Sequence, residues 1–174
     1  MTLIAVRKSY KQHRKRISNM SPSMSVVLAL LCALYCSEFC LAVHFEDCGS
    51  TSGKFTKVSV TGCKASDERC DLMRGTTPTI NITFIPNKDC SQVNVDVYGV
   101  LWNIPVPFPL DKPNACTDPN DGLHCPLRKD QEYTYTTSLF VQKKFPPVSV
   151  DIKWELVGKD SDKIVCIEFP ATVK

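Results

Sequence analysis

Residues 148–156 read Val-Ser-Val-Asp-Ile-Lys-Trp-Glu-Leu, and this stretch indicates which kind of fold the chain adopts. Apolar and polar side chains alternate at every step, so all the apolar ones share one face of an extended chain. That pattern is typical of an antiparallel strand that packs one face on a core and exposes the other to water. The stretch therefore predicts a β-protein.

The same two-residue period recurs through most of the chain, and no long stretch has the helical period. Further strands are expected at 80–84, 93–97 and 133–139, with weaker ones near 43–47, 54–60 and 163–170. About seven short strands separated by turn residues predict an all-β fold, specifically a β-sandwich.

The first 42 residues have a different composition. Residues 25–36 form an apolar run of about 12, preceded by a basic region. A membrane-spanning helix needs roughly 20 apolar residues, so this run is short for one. The pattern predicts a signal peptide cleaved after Ala42, with a retained membrane anchor as the alternative. The basic region is long, so Met20 or Met24 is an alternative start to Met1.

The basic character of the chain belongs to this leader. It contains six basic residues and one acid, whereas residues 43–174 contain 15 basic and 17 acidic residues, a net charge of −2. A segment with that balance has no basic stripe for nucleic acid, which we therefore exclude as a partner. Its 132 residues are enough for a single domain.

Seven cysteines remain after the leader, a density that indicates a disulfide framework in a small secreted domain. There is no Cys-x-x-Cys pair, and the two histidines that follow the leader, His44 and His124, lie far apart. The sequence therefore predicts no metal site. An odd number of cysteines leaves one unpaired.

Residues 104–110 read Ile-Pro-Val-Pro-Phe-Pro-Leu. Alternating prolines are incompatible with a central strand, because each removes a backbone donor. The stretch is thus an edge strand or a loop, although every residue in it is apolar. It either packs on the core, or binds another domain as a polyproline segment, or forms the rim of a hydrophobic opening. In the last case residues 145–147, Phe-Pro-Pro, are expected to form the facing lip.

Two further features of the sequence concern modification and catalysis. Asn81-Ile82-Thr83 is a glycosylation sequon, and the strand pattern puts Asn81 on the polar face. Neither histidine lies in a catalytic motif, and the chain has no nucleophile elbow, zinc-protease motif or glycine-rich phosphate loop. The sequence predicts a protein that is not an enzyme and needs no cofactor.

Several segments together resemble a known family. They are Asp47-Cys48-Gly49-Ser50, the Cys63/Cys70 pair, the sequon, Val106-Pro107-Phe108-Pro109, the Cys116/Cys125 pair, the alternating 150–156 strand and Cys166-x-Glu168-x-Pro170. This combination resembles the ML lipid-recognition domain family, and within it the sterol carriers. The resemblance covers residues 43–174.

The resemblance implies an immunoglobulin-like sandwich with a hydrophobic cavity between its sheets. It also implies the bridges Cys48–Cys166, Cys63–Cys70 and Cys116–Cys125. Cys90 is then unpaired, and is either buried, capped or a link between two copies of an otherwise monomeric protein.

The resemblance also implies the residues that meet the ligand and the acceptor. Phe108 would gate the opening, and the expected ligand-binding set is Val106, Phe108, Tyr135, Leu139, Val141, Phe145 and Trp154. Val100, Trp102 and Ile104 would form a knob that contacts a membrane or a transmembrane sterol acceptor. The alternative for both tryptophans is ordinary core packing.

The function implied is that of a secreted carrier of a sterol, with delivery to endosomes or lysosomes as a further expectation. Ile167 and Phe145 stand where the family often has tryptophan and tyrosine, and the Cys116–Cys125 loop is long, so another lipid is an alternative. A carrier of fatty acids, odour-like lipids or microbial lipids would fit, as would an adhesion module with a filled core. His44 or His124 could make transfer depend on pH.

Overall fold

The structure is a computed structural model that describes residues 43–64, 66–118 and 120–174. The leader, with its expected cleavage after Ala42, lies outside these residues, as do the alternative starts Met20 and Met24. Across the described part of the chain, no helix is long and apolar enough to cross a membrane.

The described residues form nine strands, which are arranged as two sheets. They are β1 (Glu46–Asp47), β2 (Gly53–Val60), β3 (Cys70–Leu72), β4 (Thr79–Pro86), β5 (Asn94–Leu101), β6 (Ile104–Phe108), β7 (Tyr133–Ser138), β8 (Val148–Val157) and β9 (Lys163–Val173). The larger sheet has the order β1-β9-β8-β5-β6, with β3 added parallel to β9, and the smaller has the order β2-β4-β7. The predicted all-β sandwich is confirmed.

The two strands beyond the seven predicted are β3 and β6. Strand β3 has only three residues, too few to show an alternation, and β6 is the proline-rich stretch that was expected to be an edge strand or a loop. Strand β1 lies within the weak strand predicted near 43–47. Strand β9, predicted as a weak one, is the longest at 11 residues. Four consecutive residues in it, 164–167, are fully buried, so the two-residue period is lost.

The two-residue period is lost in β9 for two reasons. Leu156 pairs with Val165 and Val157 with Lys163, so Ile164 is the extra residue of a β-bulge and shifts the alternation by one. Cys166 is buried on the other face by its disulfide with Cys48.

The chain before β2 lies along the edge of β9. The Cys48 N–H donates to the Cys166 carbonyl at 3.1 Å, and the Ser52 N–H donates to the Lys163 carbonyl at 2.8 Å. The Ser50 hydroxyl accepts from the Cys166 N–H at 2.9 Å.

The proline-rich stretch is an edge strand. Strand β6 pairs with β5 alone and ends the larger sheet, in the register Val97 to Phe108 and Leu101 to Ile104. An edge is where a sheet tolerates prolines, since one side of the strand needs no ladder donors.

The three expected disulfides are present: Cys48–Cys166, Cys63–Cys70 and Cys116–Cys125. The first joins positions 118 residues apart, and the others close short loops. Cys90 is unpaired and buried, and burial raises the pKa of its thiol. A sulfur in that position is poorly placed to link two copies of the chain.

Candidate functional site

A cavity of about 560 Å³ lies between the two sheets. Strand β8 contributes every second residue to its wall, Val148, Val150, Ile152 and Trp154, which are the inward positions of the alternation. The other sheet and the remaining strands add Val60, Ile80, Val97, Gly99, Leu101, Phe169 and Val173. The wall is therefore made by the same alternation that builds the strands.

Trp154 marks the inner end of this cavity, which we call its floor. The next inward residue of β8, Leu156, is fully buried and does not line the cavity. On the smaller sheet the lining likewise includes Ile80 of β4 and stops before Ile82 and Phe84, which are fully buried. Beyond the floor the two sheets are in direct contact.

The opposite end, which we call the mouth, lies between β6 and the segment 139–146. The rings of Phe108 and Phe145 meet edge to face there, with centroids 6.0 Å apart. Val106 and Phe140 stand on the rim and are half exposed. An exposed apolar rim around an apolar cavity is the arrangement expected of a lipid entrance.

The segment 139–146 is not a strand, but its backbone is held. The Val141 N–H donates to the Thr76 carbonyl at 2.9 Å, and the Gly75 N–H donates to the Val141 carbonyl at 2.7 Å. The Arg74 guanidinium donates to the Phe145 carbonyl at 3.2 Å. Neighbouring loops thus hold Phe145 opposite Phe108.

Polar groups in the lining are few. Lys144 is its single charged residue, and Gln142 lies near it in sequence on the segment at the mouth. At the floor, the indole N–H of Trp154 is buried and has no hydrogen-bond partner among the described residues. The cavity therefore suits a ligand that is apolar along its length.

Six of the seven expected ligand-binding residues line the cavity: Val106, Phe108, Leu139, Val141, Phe145 and Trp154. Tyr135 is not part of this lining. It is almost fully buried behind the floor, where its ring lies 6.4 Å from that of Trp154. Tyr135 of β7 pairs with Ile82 of β4, at a level beyond the floor where no cavity separates the two sheets.

The expected knob forms the tip of the β5–β6 hairpin and is separate from the cavity lining. Trp102 is 91% exposed and Ile104 62% exposed, so core packing is the wrong interpretation of Trp102. Trp102 and Asn103 form the turn with φ of 49° and 63°. A bulky residue with positive φ is rare, because its Cβ is crowded in this conformation.

Gly99 is a lining residue that the sequence did not reveal. It occupies an inward position of β5, and a Cβ there would lie 3.3 Å from the Cγ2 of Val150. The missing side chain leaves space in the middle of the cavity wall. A glycine inside a strand is a sequence signal for such close approach.

Sequence reasoning also missed a buried carboxyl group behind the floor. Asp121 is almost fully buried, and its carbonyl accepts from the Thr136 N–H at 2.9 Å. Burial, followed by repulsion from Asp118, raises the pKa of Asp121 to about 6. His44 and His124, the groups considered for pH dependence, are exposed at the surface.

Asn81 lies on the outer face of the smaller sheet, as the alternation predicted. Its side-chain amide donates to Ser59 Oγ at 3.4 Å, and its Oδ1 accepts from Thr136 Oγ1 at 2.9 Å. Its neighbours Ile80 and Ile82 are buried. The orientation leaves the sequon on the solvent side, and its glycosylation stays a prediction.

Comparison with known proteins identifies the family. Residues 42–173 match the family model described as the ML domain. The chain belongs to the ML domain family. The match covers the whole sandwich, including both walls of the cavity and the hairpin tip.

Named relatives of this ML domain include insect and vertebrate proteins. NPC intracellular cholesterol transporter 2 homolog a of Drosophila melanogaster is 43% identical over 136 residues, covering 78% of this chain and 90% of that one. NPC intracellular cholesterol transporter 2 of Canis lupus familiaris is 32% identical over 133 residues, covering 76% and 86%.

Solved structures agree on the fold. A Niemann-Pick type C2 protein from the Japanese carpenter ant is 42% identical, with a TM-score of 0.74, and the match covers 75% of this chain and 99% of that one. Chicken MD-1, solved in complex with lipid IVa, has a TM-score of 0.50 at 16% identity, covering 74% and 86%. At that identity the second likeness concerns the fold alone.

Two of the family departures concern positions whose surroundings the structure describes. Ile167 is fully buried beside Trp154, its partner across β8 and β9, and does not line the cavity. Phe145 stands at the mouth, and its side chain has no polar atom to bind water. Position 167 thus belongs to the packing next to the floor, and position 145 belongs to the apolar rim of the mouth.

Proposed function

We propose that this ML domain protein is a carrier that binds a sterol in the cavity and transfers it to a membrane or a membrane-protein acceptor. The observation that carries the proposal is the apolar cavity, closed by Trp154 at its floor and bordered at its mouth by the paired rings of Phe108 and Phe145. Relatives at 43% and 32% identity that are named cholesterol transporters support it.

The size and chemistry of the cavity suit such a ligand. A volume of about 560 Å³ lies within the range of pockets that enclose drug-sized molecules. A sterol gains its binding energy from apolar area removed from water. At roughly 0.3 kcal/mol per heavy atom, a sterol would gain roughly 8 kcal/mol, which corresponds to a micromolar dissociation constant. That strength permits release as well as capture.

Transfer requires that the mouth approach the acceptor. The hairpin tip, with Trp102 and Ile104, continues from β6, which forms one side of the mouth. Insertion of an exposed tryptophan into the membrane interface, or into an apolar groove of an acceptor, would bring the mouth against that surface. The carrier acts non-covalently and as a monomer in this proposal, with no catalytic step.

The leader gives the proposed location. A signal peptide would direct residues 43–174 to the secretory pathway, where the three disulfides form and persist. Delivery to endosomes or lysosomes would depend on the type of glycan at Asn81. Secretion into the culture medium with loss of residues 1–42 is the expected result of expression in insect cells.

A fatty-acid carrier is the second candidate, and one observation favours it. Lys144 is the single charged residue of the lining, and it makes no ion pair within the described part of the chain. A carboxylate at the mouth would find its countercharge there. The cavity argues against the third alternative, an adhesion module with a filled core.

A binding experiment with a matched variant tests the carrier function. The secreted protein is titrated with dehydroergosterol, a fluorescent sterol, with oleate as a competitor. Phe108→Ala is expected to weaken sterol binding about tenfold, since it removes an apolar wall of the mouth. The control is Phe55→Ala, which truncates a half-buried ring outside the lining.

Equal binding by the two variants would contradict the assignment of the mouth. Strong displacement of the sterol by oleate would favour the fatty-acid carrier. Folded protein that binds neither ligand would contradict both candidates.

A further inference from the structure

The cavity wall formed by the larger sheet has a recess at Gly99. This glycine takes an inward position of β5, between the inward residues Val97 and Leu101 of the same strand. On the adjacent strands it pairs with Ile152 of β8 and Val106 of β6. All four neighbours line the cavity with branched side chains. The lining therefore consists of bare backbone at one point in the middle of this wall.

The recess opens into the cavity. A Cβ built on Gly99 would have a single atom within 4 Å among the described residues other than its chain neighbours, the Cγ2 of Val150 at 3.3 Å. Gly99 has no positive φ that would itself require glycine, and the register of β5 with both adjacent strands shows no bulge. The remaining reason for a glycine inside a strand is the close approach of another group, here a ligand.

The opposite wall has no matching recess. The smaller sheet and the segment that follows it contribute Val60, Ile80, Leu139 and Val141, and Gly99 is the only glycine in the described lining. A ligand between the sheets therefore meets one wall with a recess and one without. A sterol has a matching asymmetry, because its fused rings carry two methyl groups on one face while the other face is nearly flat.

The ends of the cavity determine the direction of the ligand. Lys144 and Gln142 lie at the mouth, so the sterol hydroxyl belongs there and the hydrocarbon tail at the floor. Gly99 is two residues from Val97, the partner of Trp154 at the floor, which is about 7 Å along the strand. The tail of a sterol spans a comparable length, so the methyl-bearing rings lie at the level of the recess.

We propose that Gly99 is a specificity-determining residue, and that a sterol binds with its methyl-bearing face on the larger sheet and one ring methyl group in the recess. The flat face then lies against Val60 and Ile80. This inference rests on the proposed carrier function and refines its specificity. A linear hydrocarbon chain has no projecting methyl group and gains nothing from the recess.

The test uses two variants that each add one carbon atom to the lining. Gly99→Ala fills the recess, and the matched control Val60→Ile adds the same atom to the opposite wall. The ligands are cholesterol, 18-norcholesterol and 19-norcholesterol, of which the last two each lack one ring methyl group. Dissociation constants are measured on the secreted proteins from the fluorescence of Trp154, which lines the floor.

Gly99→Ala is expected to weaken cholesterol binding about tenfold, because the added methyl group overpacks a fitted contact. One of the two nor-sterols is expected to bind Gly99→Ala at least as tightly as it binds the wild type, since the alanine methyl group replaces the missing one. Val60→Ile is expected to change the binding of all three sterols by a similar factor.

Two results would overturn the proposal. In the first, Gly99→Ala binds cholesterol as the wild type does, or loses all three sterols by the same factor. In the second, a nor-sterol restores binding to Val60→Ile and not to Gly99→Ala, which would place the methyl-bearing face on the smaller sheet.

The outcomes also separate this inference from the carrier function. Wild-type protein that binds cholesterol, with no ligand-dependent effect of Gly99→Ala, retains the carrier function and loses the recess. Wild-type protein that binds none of the sterols loses both. Urea denaturation is the control for folding, and Gly99→Ala is expected to be about as stable as the wild type, because alanine loses less backbone freedom on folding than glycine.

Discussion

The two halves of the sandwich are built from the same strands, but side chains fill one half and the cavity occupies the other. In the closed half, beyond Trp154, the strands carry the almost fully buried side chains of Ile82, Phe84, Val95, Leu156 and Val165, and the adjoining segments add Val93 and Leu127. In the open half, between Trp154 and the mouth, the inner faces line a cavity with Val60, Val97, Gly99, Val148, Val150 and Val173.

Side-chain size contributes to this difference. Packed sheets lie about 10 Å apart, a distance that large side chains from both faces fill together. In the closed half the smaller sheet supplies Phe84 and Tyr133, which are neighbours on β4 and β7 with ring centroids 6.2 Å apart. In the open half Gly99 and several valines take inward positions beside larger residues such as Ile152 and Phe169. The cavity therefore forms within the same strand topology as the closed half.

The largest contrast is expected from truncating a ring in each half. Phe84→Ala should lower the free energy of unfolding by about 3–5 kcal/mol, because it empties a fully buried site. Phe145→Ala should cost about 1 kcal/mol, since that ring is partly exposed and packs edge to face on Phe108. Urea denaturation of the ligand-free proteins measures both. Similar losses would mean that the open half is as tightly packed as the closed half.

The next contrast comes from enlarging a valine in each half. Val95→Phe should destabilise the protein by about 1–3 kcal/mol, because the closed half has no room for a ring. Val150→Phe should cost much less, since its side chain projects into the cavity, and should abolish sterol binding by filling it. Denaturation and dehydroergosterol titration are run on the same samples. Val150→Phe protein that binds sterol normally would contradict the cavity.

A smaller effect concerns the closed side of the floor, where Asp121 is buried. The pKa of this carboxyl is about 6 in the fold, against an ordinary value of 3.8. The folded chain therefore holds more protons than the unfolded chain between about pH 4 and pH 6. The contribution of Asp121 is most favourable below that window and is lost as the pH rises through it.

Asp121→Asn removes this titration and should leave an amide that stays neutral at every pH. The stability of the variant relative to the wild type should rise between about pH 4 and pH 7, by about 1–2 kcal/mol. Urea denaturation at several pH values measures the difference. A difference that stays constant with pH would show that Asp121 titrates normally in the fold.

The smallest effect on stability is expected at the hairpin tip of the open half. Trp102→Gly should leave the free energy of unfolding unchanged or raise it by up to about 1 kcal/mol, because glycine adopts positive φ without strain. The same change should weaken binding to phosphatidylcholine vesicles in a sedimentation assay. Clear destabilisation would mean that the exposed tryptophan supports the fold, and unchanged vesicle binding would remove it from the docking surface.

The strands of this protein were predictable where one face is buried and the other exposed. Strand β8 has that pattern, and it was located within a residue of its bounds. Strand β9 lost the pattern because Ile164 is bulged and Cys166 is covered by its disulfide with Cys48, two features that no local period reveals. The three disulfide pairings came from the family resemblance, since spacing alone left them open.

The site was predictable in part for the same reason. Alternation indicated which residues face inward, but not how far apart the two sheets lie at each level. Tyr135 and Trp154 both face inward, yet only Trp154 lines the cavity, because the sheets meet just behind it. Asp121 was missed because its burial depends on the packing of the Cys116–Cys125 loop against β7.

The prolines of β6 have a consequence for the behaviour of the protein in concentrated solution. Pro105 and Pro107 are two residues apart, so both missing N–H groups lie on one side of this edge strand. An edge strand tolerates prolines when that side is the free one. The apolar rim thus borders an edge with few donors for an approaching strand, which hinders cross-β stacking and amyloid growth between copies. The protein can therefore expose an apolar rim to water while its edge strand resists pairing with the edge strands of other copies.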